Sequence, residues 1–478
     1  MIPISESEIL DRFRFDNPWW ENNEIERRFE KLPRRAYYSI FYELLQDSSI
    51  NRAIILMGPR RVGKTVLVYH SISKLLEDGI TPSQILYLSL EIPIYTGLPL
   101  EKIVITFLKL HKHNRDSKLY IFFDEIQYHK DWEIHLKSLV DTFPNFRFVA
   151  TGSAAAALRL KSKESGAGRF TDFLLPPLTF NEYLEFIGKT EELIKTENFD
   201  IHTDYSTFNI EVLNEQFINY LNFGCYPEAV FSETIQSDTE RFIKSDIIDK
   251  VLLRDLPNLY GVADIQELNK LFTVIAYNTG QEISLEELSQ GAGIVKNTLR
   301  RYIEYLEAAF LIKIVNRVNN NTKKFKRATT FKVYLTNPSM RAALFGPIHS
   351  DHQAMGALTE TAIYSQWFHS ETINNLFYAR WKKGEVDIVN LLSSNQKPSW
   401  CVEVKWSDSP YSDNRKINGV IEFMNTNNLE FGALVTTKTI SGSKLINGHE
   451  INFQPSALYA YLLGANIQSN IKQRKFVN

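Results

Sequence analysis

The chain has 478 residues, 44% hydrophobic and 23% charged, with a formal net charge of -2. That balance is ordinary for globular proteins and excludes a disordered, collagen-like or coiled-coil chain; the near-zero charge excludes a basic wrapper of nucleic acid and confines any such contact to a local patch. The two cysteines, Cys225 and Cys401, stand far apart, which excludes a disulfide framework or a cysteine-rich zinc site.

The N-terminus has no basic stretch followed by an apolar one, so it does not read as a secretory signal. No apolar run approaches the ~18 residues of a membrane span. The expected location is the cytoplasm, without membrane attachment. Residues 1 to about 45 read as helix and loop. Trp19 and Trp20 would pack this arm onto the following domain or, alternatively, wall a nucleotide base.

From Ala53 the pattern alternates. Short apolar runs at Ala53–Met57, Ile85–Leu90, Leu119–Phe123, Phe146–Ala150 and Thr171–Leu175 predict strands buried on both faces of a parallel sheet. Helices are predicted between them at Lys64–Leu76, Leu100–His111 and Trp132–Phe143. Residues 181–261 read as a helical lid that begins with a polar, exposed insertion. Residues 262–335 read as helix, glycine-containing turn, helix and hairpin, a winged-helix-like order. Leu299, Tyr302, Ile303 and Leu306 share one face of the second helix. Residues 336–478 return to mixed α/β, and residues 1–180 form the arm plus the first α/β core.

Gly58-Pro59-Arg60-Arg61-Val62-Gly63-Lys64-Thr65 fits G-x-x-x-x-G-K-[ST], follows a strand and opens a helix that continues with Val66. Its glycines let backbone N–H groups curl around a phosphate, Lys64 would reach the β- and γ-phosphates, and the Thr65 hydroxyl would hold Mg²⁺. The strand Leu119–Phe123 ends in Asp124-Glu125, a Walker B pattern. Asp124 would hold Mg²⁺ through water, and Glu125 would polarise the attacking water as general base. No NKxD guanine motif accompanies them. Ser153, with Thr151 second, is the candidate γ-phosphate sensor at the end of the next strand.

The run from GPRRVGKT through FFDEIQ and TGS to GRF and PLTFNEYL resembles a prokaryotic family of AAA-type P-loop ATPases. Its members carry a C-terminal restriction-endonuclease-like domain of uncertain function. The resemblance covers most of the chain, from NPWW to the EVK near residue 405. It implies ATP as ligand and a five-stranded ATPase core with a helical lid. Such ATPases need an arginine against transition-state charge. Arg169, in GRF, and Arg254, in LLRDL, are candidates, each with the plainer alternative of a surface or salt-bridged arginine; sharing one across subunits would make a homo-oligomer.

Nearer the C-terminus a helix carries Glu360, followed by strands at Asn375–Trp381, Glu385–Leu391 and Trp400–Trp406, a helix near 415–425, and a strand at Phe431–Thr436. Period-two alternation puts Glu403 and Lys405 on one face beside Asp387. This resembles the PD-(D/E)xK nuclease pattern without its proline. Asp387 and Glu403 would bind one or two Mg²⁺ ions, Mn²⁺ being an alternative; Lys405 would orient or activate water or offset charge in the transition state, and Glu360 would complete the shell or orient the site. Lys323, Lys324, Lys326 and Arg327, with Lys296, Arg300 and Arg301, form a local basic patch suited to DNA phosphates or to a solvated face.

The fold class expected is multidomain α/β: a P-loop ATPase sheet with a helical lid, a winged-helix-like unit and a restriction-endonuclease-like domain. The leading function is an ATPase coupled to a metal-dependent DNA nuclease or DNA-binding module. The alternative is a nucleotide-controlled switch or scaffold whose C-terminal domain binds nucleic acid or protein without cutting.

Overall fold

The computed structural model describes residues 5–95, 97–152, 168–198, 203–262, 264–322 and 330–473. The chain divides into two compact units, residues 1–176 and 177–478.

The first unit is built on five strands: β1 (Ala53–Met57), β2 (Ile85–Ser89), β3 (Leu119–Asp124), β4 (Phe146–Gly152) and β5 (Phe170–Leu174). They pair in the order β2-β3-β4-β1-β5, all parallel. Each of the first four is buried over almost its whole length, as near-continuous apolar runs require. Strand β4 runs two residues past its expected end, because Thr151 and Gly152 still pair with Leu56 and Met57. The order β3-β4-β1 brings the end of β3 and the end of β4 next to the loop that leaves β1.

The N-terminal arm is part of this unit. The helix Glu6–Asp16 opens with a capping box between Ser5 and Glu8. Asn17, fully buried, then closes onto β2: its amide donates to the Tyr87 carbonyl at 3.0 Å and its oxygen accepts from the Tyr87 N–H at 2.7 Å. Both Trp19 and Trp20 donate their indole N–H to the Ile85 carbonyl, at 3.3 and 2.8 Å. Ile85 begins β2, at the opposite end from Ser89 and its partner Asp124. The tryptophans therefore fasten the arm and form no wall beside the phosphate loop.

In the second unit the stretch expected as an exposed insertion contains a hairpin, β6 (Ile194–Asn198) with β7 (Thr203–Thr207). Helices follow, among them Ile210–Phe223 and a π-wound segment over Glu240–Asp249 and Val251–Asp255. Next come the helix Ile265–Tyr277, β8 (Glu282–Ser284), the helices Leu285–Ala292 and Lys296–Ala308, β9 (Ile312–Val318) and β10 (Thr330–Leu335). The C-terminal part supplies the helix Met355–Gln366, β11 (Leu376–Trp381), β12 (Gly384–Leu391), β13 (Pro398–Glu403), the helix Asn418–Asn427, β14 (Ala433–Thr437), β15 (Gly442–Ile446), β16 (His449–Pro455) and the helix Ser456–Gln473.

The hairpin at 312–335 is not confined to its own module. Strand β9 pairs in parallel with β11 through Tyr378–Arg317 and Ala379–Val318. The result is one nine-stranded mixed sheet, β15-β16-β14-β13-β12-β11-β9-β10-β8. Ile388, Val402 and Val404 face a core shared with the helices at 355–366 and 456–473, while Val386, Cys401 and Val435 face the helix at 418–427. Both cysteines are free and buried.

Asn17→Leu leaves the Tyr87 N–H and C=O without partners inside the first unit. At about 1–3 kcal/mol for each unsatisfied buried group, the denaturation midpoint of the first unit's transition should fall clearly, and Asn17→Asp should recover part of the loss.

Candidate functional site

The phosphate loop is shaped by two glycines. A Cβ on Gly58 would lie 2.2 Å from the Leu175 carbonyl oxygen, so only glycine lets the loop pass β5. Gly63 has φ 96°, a left-handed conformation from which the helix Lys64–Glu77 starts. Arg60 reaches Tyr128 at 3.2 Å, Arg61 takes φ 64°, and Val62 is buried. Arg35, from the N-terminal arm, donates to the Val62 carbonyl at 2.6 Å and the Pro176 carbonyl at 2.9 Å, tying the loop to the segment after β5. The Lys64 ammonium donates to the carbonyls of Gly58 and Pro59 at 2.9 and 2.8 Å, within its own loop.

Asp124 ends β3 beside this loop and is buried. Its Oδ2 accepts from Thr65 at 2.9 Å and from Tyr87 at 2.8 Å, and its Oδ1 accepts from the Thr151 hydroxyl. Burial and then the neighbouring Glu125 charge raise its pKa, against the pull of these donors. A hydroxyl and a carboxylate meeting next to the loop fit a magnesium ion bound with nucleotide. Glu125 sits at φ 53°, outside the usual region for a non-glycine residue; its N–H donates to Thr151 Oγ1 at 3.2 Å and its carboxylate accepts from Gln127.

Of the other expected residues, Ser153 lies outside the described residues. Arg169 precedes β5, paired with Asp141 at 2.9 Å; the register Ala53–Phe170 to Met57–Leu174 puts it at the end of the sheet away from the loop. Arg254 is exposed on the π-wound segment of the second unit.

The second unit gathers Glu360, Asp387, Glu403 and Lys405. Between the pairs Phe377–Val389 and Ala379–Val386, the two residues Asp387 and Ile388 oppose the single Tyr378, a β-bulge in β12. Strand β13 stops at Glu403, short of the expected Trp406, because the Thr436 hydroxyl takes over the backbone of Lys405, accepting from its N–H at 2.7 Å and donating to its carbonyl at 2.9 Å. The Lys405 ammonium lies 2.7 Å from Glu403 Oε1 and 3.7 Å from Asp387 Oδ2, which also accepts from the Val404 N–H at 2.9 Å.

A second lysine completes the group. Lys332 of β10, 3% exposed, sits 2.8 Å from Glu360 Oε1, 2.8 Å from Glu385 Oε1 and 2.9 Å from Asp387 Oδ1. Tyr334 donates to Glu360 Oε1 at 2.5 Å. Burial, then the Asp387 charge, pushes the Glu403 carboxyl up to about 8 and the Glu360 carboxyl up to about 7. Burial would raise Asp387 too, but the Lys332 and Lys405 ammoniums outweigh it and hold it below its ordinary value. Glu403 Oε2 is buried with no hydrogen-bond partner, an acceptor left over that suits a cation. Among the described residues no three carboxylate, histidine or cysteine groups stand ready as a metal cluster; lysines separate the acids.

Sequence reading does not single out Tyr87, Arg35, Glu385 or Lys332. Lys332 carried a signal: it lies between Phe331 and Val333 in an apolar strand, where a buried ammonium must find carboxylates. In the basic patch, Lys323, Lys324, Lys326 and Arg327 lie outside the described residues, Lys296 pairs with Glu286, and Arg300 and Arg301 are exposed.

Residues 50–184 match a family described as an AAA domain. That match takes in the phosphate loop and the Asp124-Glu125 pair. Residues 214–350 match a domain of unknown function, DUF8612. Over 383 residues the chain is 26% identical to the uncharacterized protein MJ1637 of Methanocaldococcus jannaschii, covering 76% of this chain and 78% of that one. It is 24% identical over 361 residues to MJ1544 of the same organism, covering 74% and 75%. An uncharacterized protein of Haemophilus influenzae is 24% identical over 309 residues, covering 64% and 72%. Among solved structures, the replication initiator DnaA bound to AMPPCP and single-stranded DNA overlaps 61% of this chain and 93% of its own, at 16% identity and a TM-score of 0.30. No helix among the described residues is long and apolar enough to cross a membrane.

Thr151→Val removes the hydroxyl that serves both Asp124 and the Glu125 N–H. The nucleotide-free protein should lose about 1–3 kcal/mol of stability, read from denaturant unfolding of the first unit, and Thr151→Ser should restore most of it.

Proposed function

We propose that the chain hydrolyses ATP in its first unit and cuts DNA phosphodiester bonds, with a divalent metal, in its second. The observation that carries the second half is the convergence of Glu360, Asp387, Glu403 and Lys405 from one helix, two adjacent strands and the segment after β13, with Glu403 Oε2 left without a partner.

In the first unit, Lys64 would turn from the Gly58 and Pro59 carbonyls to the β- and γ-phosphates of ATP. Thr65 and Asp124 would hold Mg²⁺, which offsets the charge on the phosphates. Glu125, oriented by Gln127, would take the proton of the attacking water, and Thr151, bonded to both Asp124 and the Glu125 backbone, would report the state of the γ-phosphate. Ser153, the first candidate by sequence, is the alternative for that role. Arg169, remote from its own loop, would serve a neighbouring copy in a homo-oligomer; Arg254 is the other candidate.

In the second unit, a metal held by Asp387 and Glu403 would polarise the scissile phosphate and its attacking water. Lys405, anchored by Glu403, would orient that water and offset charge on the phosphate. Glu360, fixed by Lys332 and Tyr334, would brace the cluster. The order helix, strand, helix, helix, strand, strand over 265–335 supports a winged-helix reading, and exposed Arg300 and Arg301 offer phosphate contacts.

A second reading has its own observation: the lysines fill the space among the acids, as in a site kept for binding alone. On that reading the unit binds nucleic acid under nucleotide control and does not cut.

A cleavage assay with Mg²⁺ or Mn²⁺ on single-stranded, double-stranded and branched DNA, with and without ATP, separates the two. Lys405→Ala should abolish cleavage while ATP hydrolysis continues. Lys64→Ala should abolish ATP binding, and its effect on cleavage reads the coupling. Absence of cleavage on every substrate, with ATPase intact, would favour the binding switch. Glu125→Gln should lower steady-state ATP hydrolysis by about 10²-fold or more, with ATP affinity within a few-fold of wild type by titration calorimetry.

A further inference from the structure

The acidic cluster of the second unit has two sides, and they differ. On one side three carboxylate oxygens, from Glu360, Glu385 and Asp387, surround a single nitrogen at 2.8 to 2.9 Å. That nitrogen belongs to Lys332, which has little freedom to leave. Its strand pairs on both flanks, with Val315 of β9 and Glu282 of β8, so its backbone is fixed. Its neighbours Phe331 and Val333 are buried in the apolar core. The stem passes the Tyr378 ring, with the ammonium 5.5 Å from the ring centre. Withdrawing the ammonium would take from the buried Glu360 and Asp387 carboxylates the cation they share, which is strongly unfavourable.

The other side is open in its bonding. Asp387 Oδ2 has a backbone N–H at 2.9 Å and a distant ammonium at 3.7 Å, and Glu403, 8% exposed, keeps Oε2 without any partner. Glu385 is met by Arg380 at 3.6 Å as well as by Lys332, so the acceptor left over stands on the Glu403 side.

We infer that Lys332 permanently takes the place of a second metal ion, so that the site binds one divalent cation, between Asp387 Oδ2 and Glu403 Oε2. This rests on the metal-dependent reading given above and narrows it from one or two ions to one. Lys332 is then a positioning residue: it fixes Glu360 and the bulged Asp387 in the form that receives the single ion, without touching the phosphate.

The test is a count of bound Mn²⁺ by electron paramagnetic resonance titration. It uses nucleotide-free, full-length protein carrying Asp124→Asn, so that the phosphate loop contributes no ion. That parent should bind one Mn²⁺. Adding Lys332→Met should raise the count to two, and adding Glu403→Gln to the parent should lower it to none. Two ions in the parent, or one in both the parent and the Lys332→Met protein, would overturn the inference and leave the metal-dependent reading standing. None in the parent but one with Lys332→Met would also overturn it, making Lys332 a competitor of the ion. No ion in either would defeat the metal-dependent reading itself. An ion that survives Glu403→Gln would place the site elsewhere and likewise overturn the inference. Should Lys332→Met fail to give the circular dichroism of the parent, the parent's count and its loss with Glu403→Gln decide alone.

Discussion

A carboxylate removed from water must be met by donors or cations, and both sites of this protein are organised by that requirement. Asp124 is met by hydroxyls: Thr65, Tyr87 and Thr151 converge on it from a helix and two strands. Asp387 is met by ammoniums, Lys332 on one oxygen and Lys405 on the other, with one backbone N–H. The difference has chemical consequences. Hydroxyls carry no charge of their own and so do not cancel that of Asp124 ahead of an ion that arrives with a nucleotide. Ammoniums cancel part of the Asp387 charge in advance and keep it ionised beside Glu403, whose own carboxyl is driven up by burial and by that charge.

The requirement also explains the scaffolding. Asp124 is held where it is because β2 is held, and β2 is held by the arm: Asn17 takes both backbone groups of Tyr87, and the two tryptophans take the carbonyl of Ile85. Arg35 does the same for the phosphate loop, through the carbonyl of Val62. In the second unit, the bulge at Asp387–Ile388 and the early end of β13 at Glu403 shape the same cluster, one shifting the strand register at Asp387 and the other releasing Lys405 from the ladder.

Much of this was legible in the sequence. The five strands of the first unit announced themselves as apolar runs of strand length, and Gly58 to Thr65 with Asp124-Glu125 marked the loop and its acid because their spacing is local. Glu403 and Lys405 were legible for the same reason, two residues apart in the sequence, although the strand itself ends at Glu403. Lys332 was not, since it lies 55 positions from Asp387 and only the long-range pairing of β9 with β11 brings β10 within reach. Tyr87 looked like any aromatic in a buried strand. The hairpin at 194–207 was hidden because its strands are short and polar, without an apolar alternation to reveal them.

The pairing of β9 with β11 carries one more consequence. It makes residues 336–478 a poor candidate for life as a separate fragment. Cutting the chain before 336 would strip β9 from β11 and bare a row of backbone donors and acceptors along Tyr378 and Ala379, a template for edge-to-edge aggregation. The same cut would remove Lys332 and leave Glu360, Glu385 and Asp387 repelling one another. The strands from 282 to 455 therefore stand or fall as one sheet.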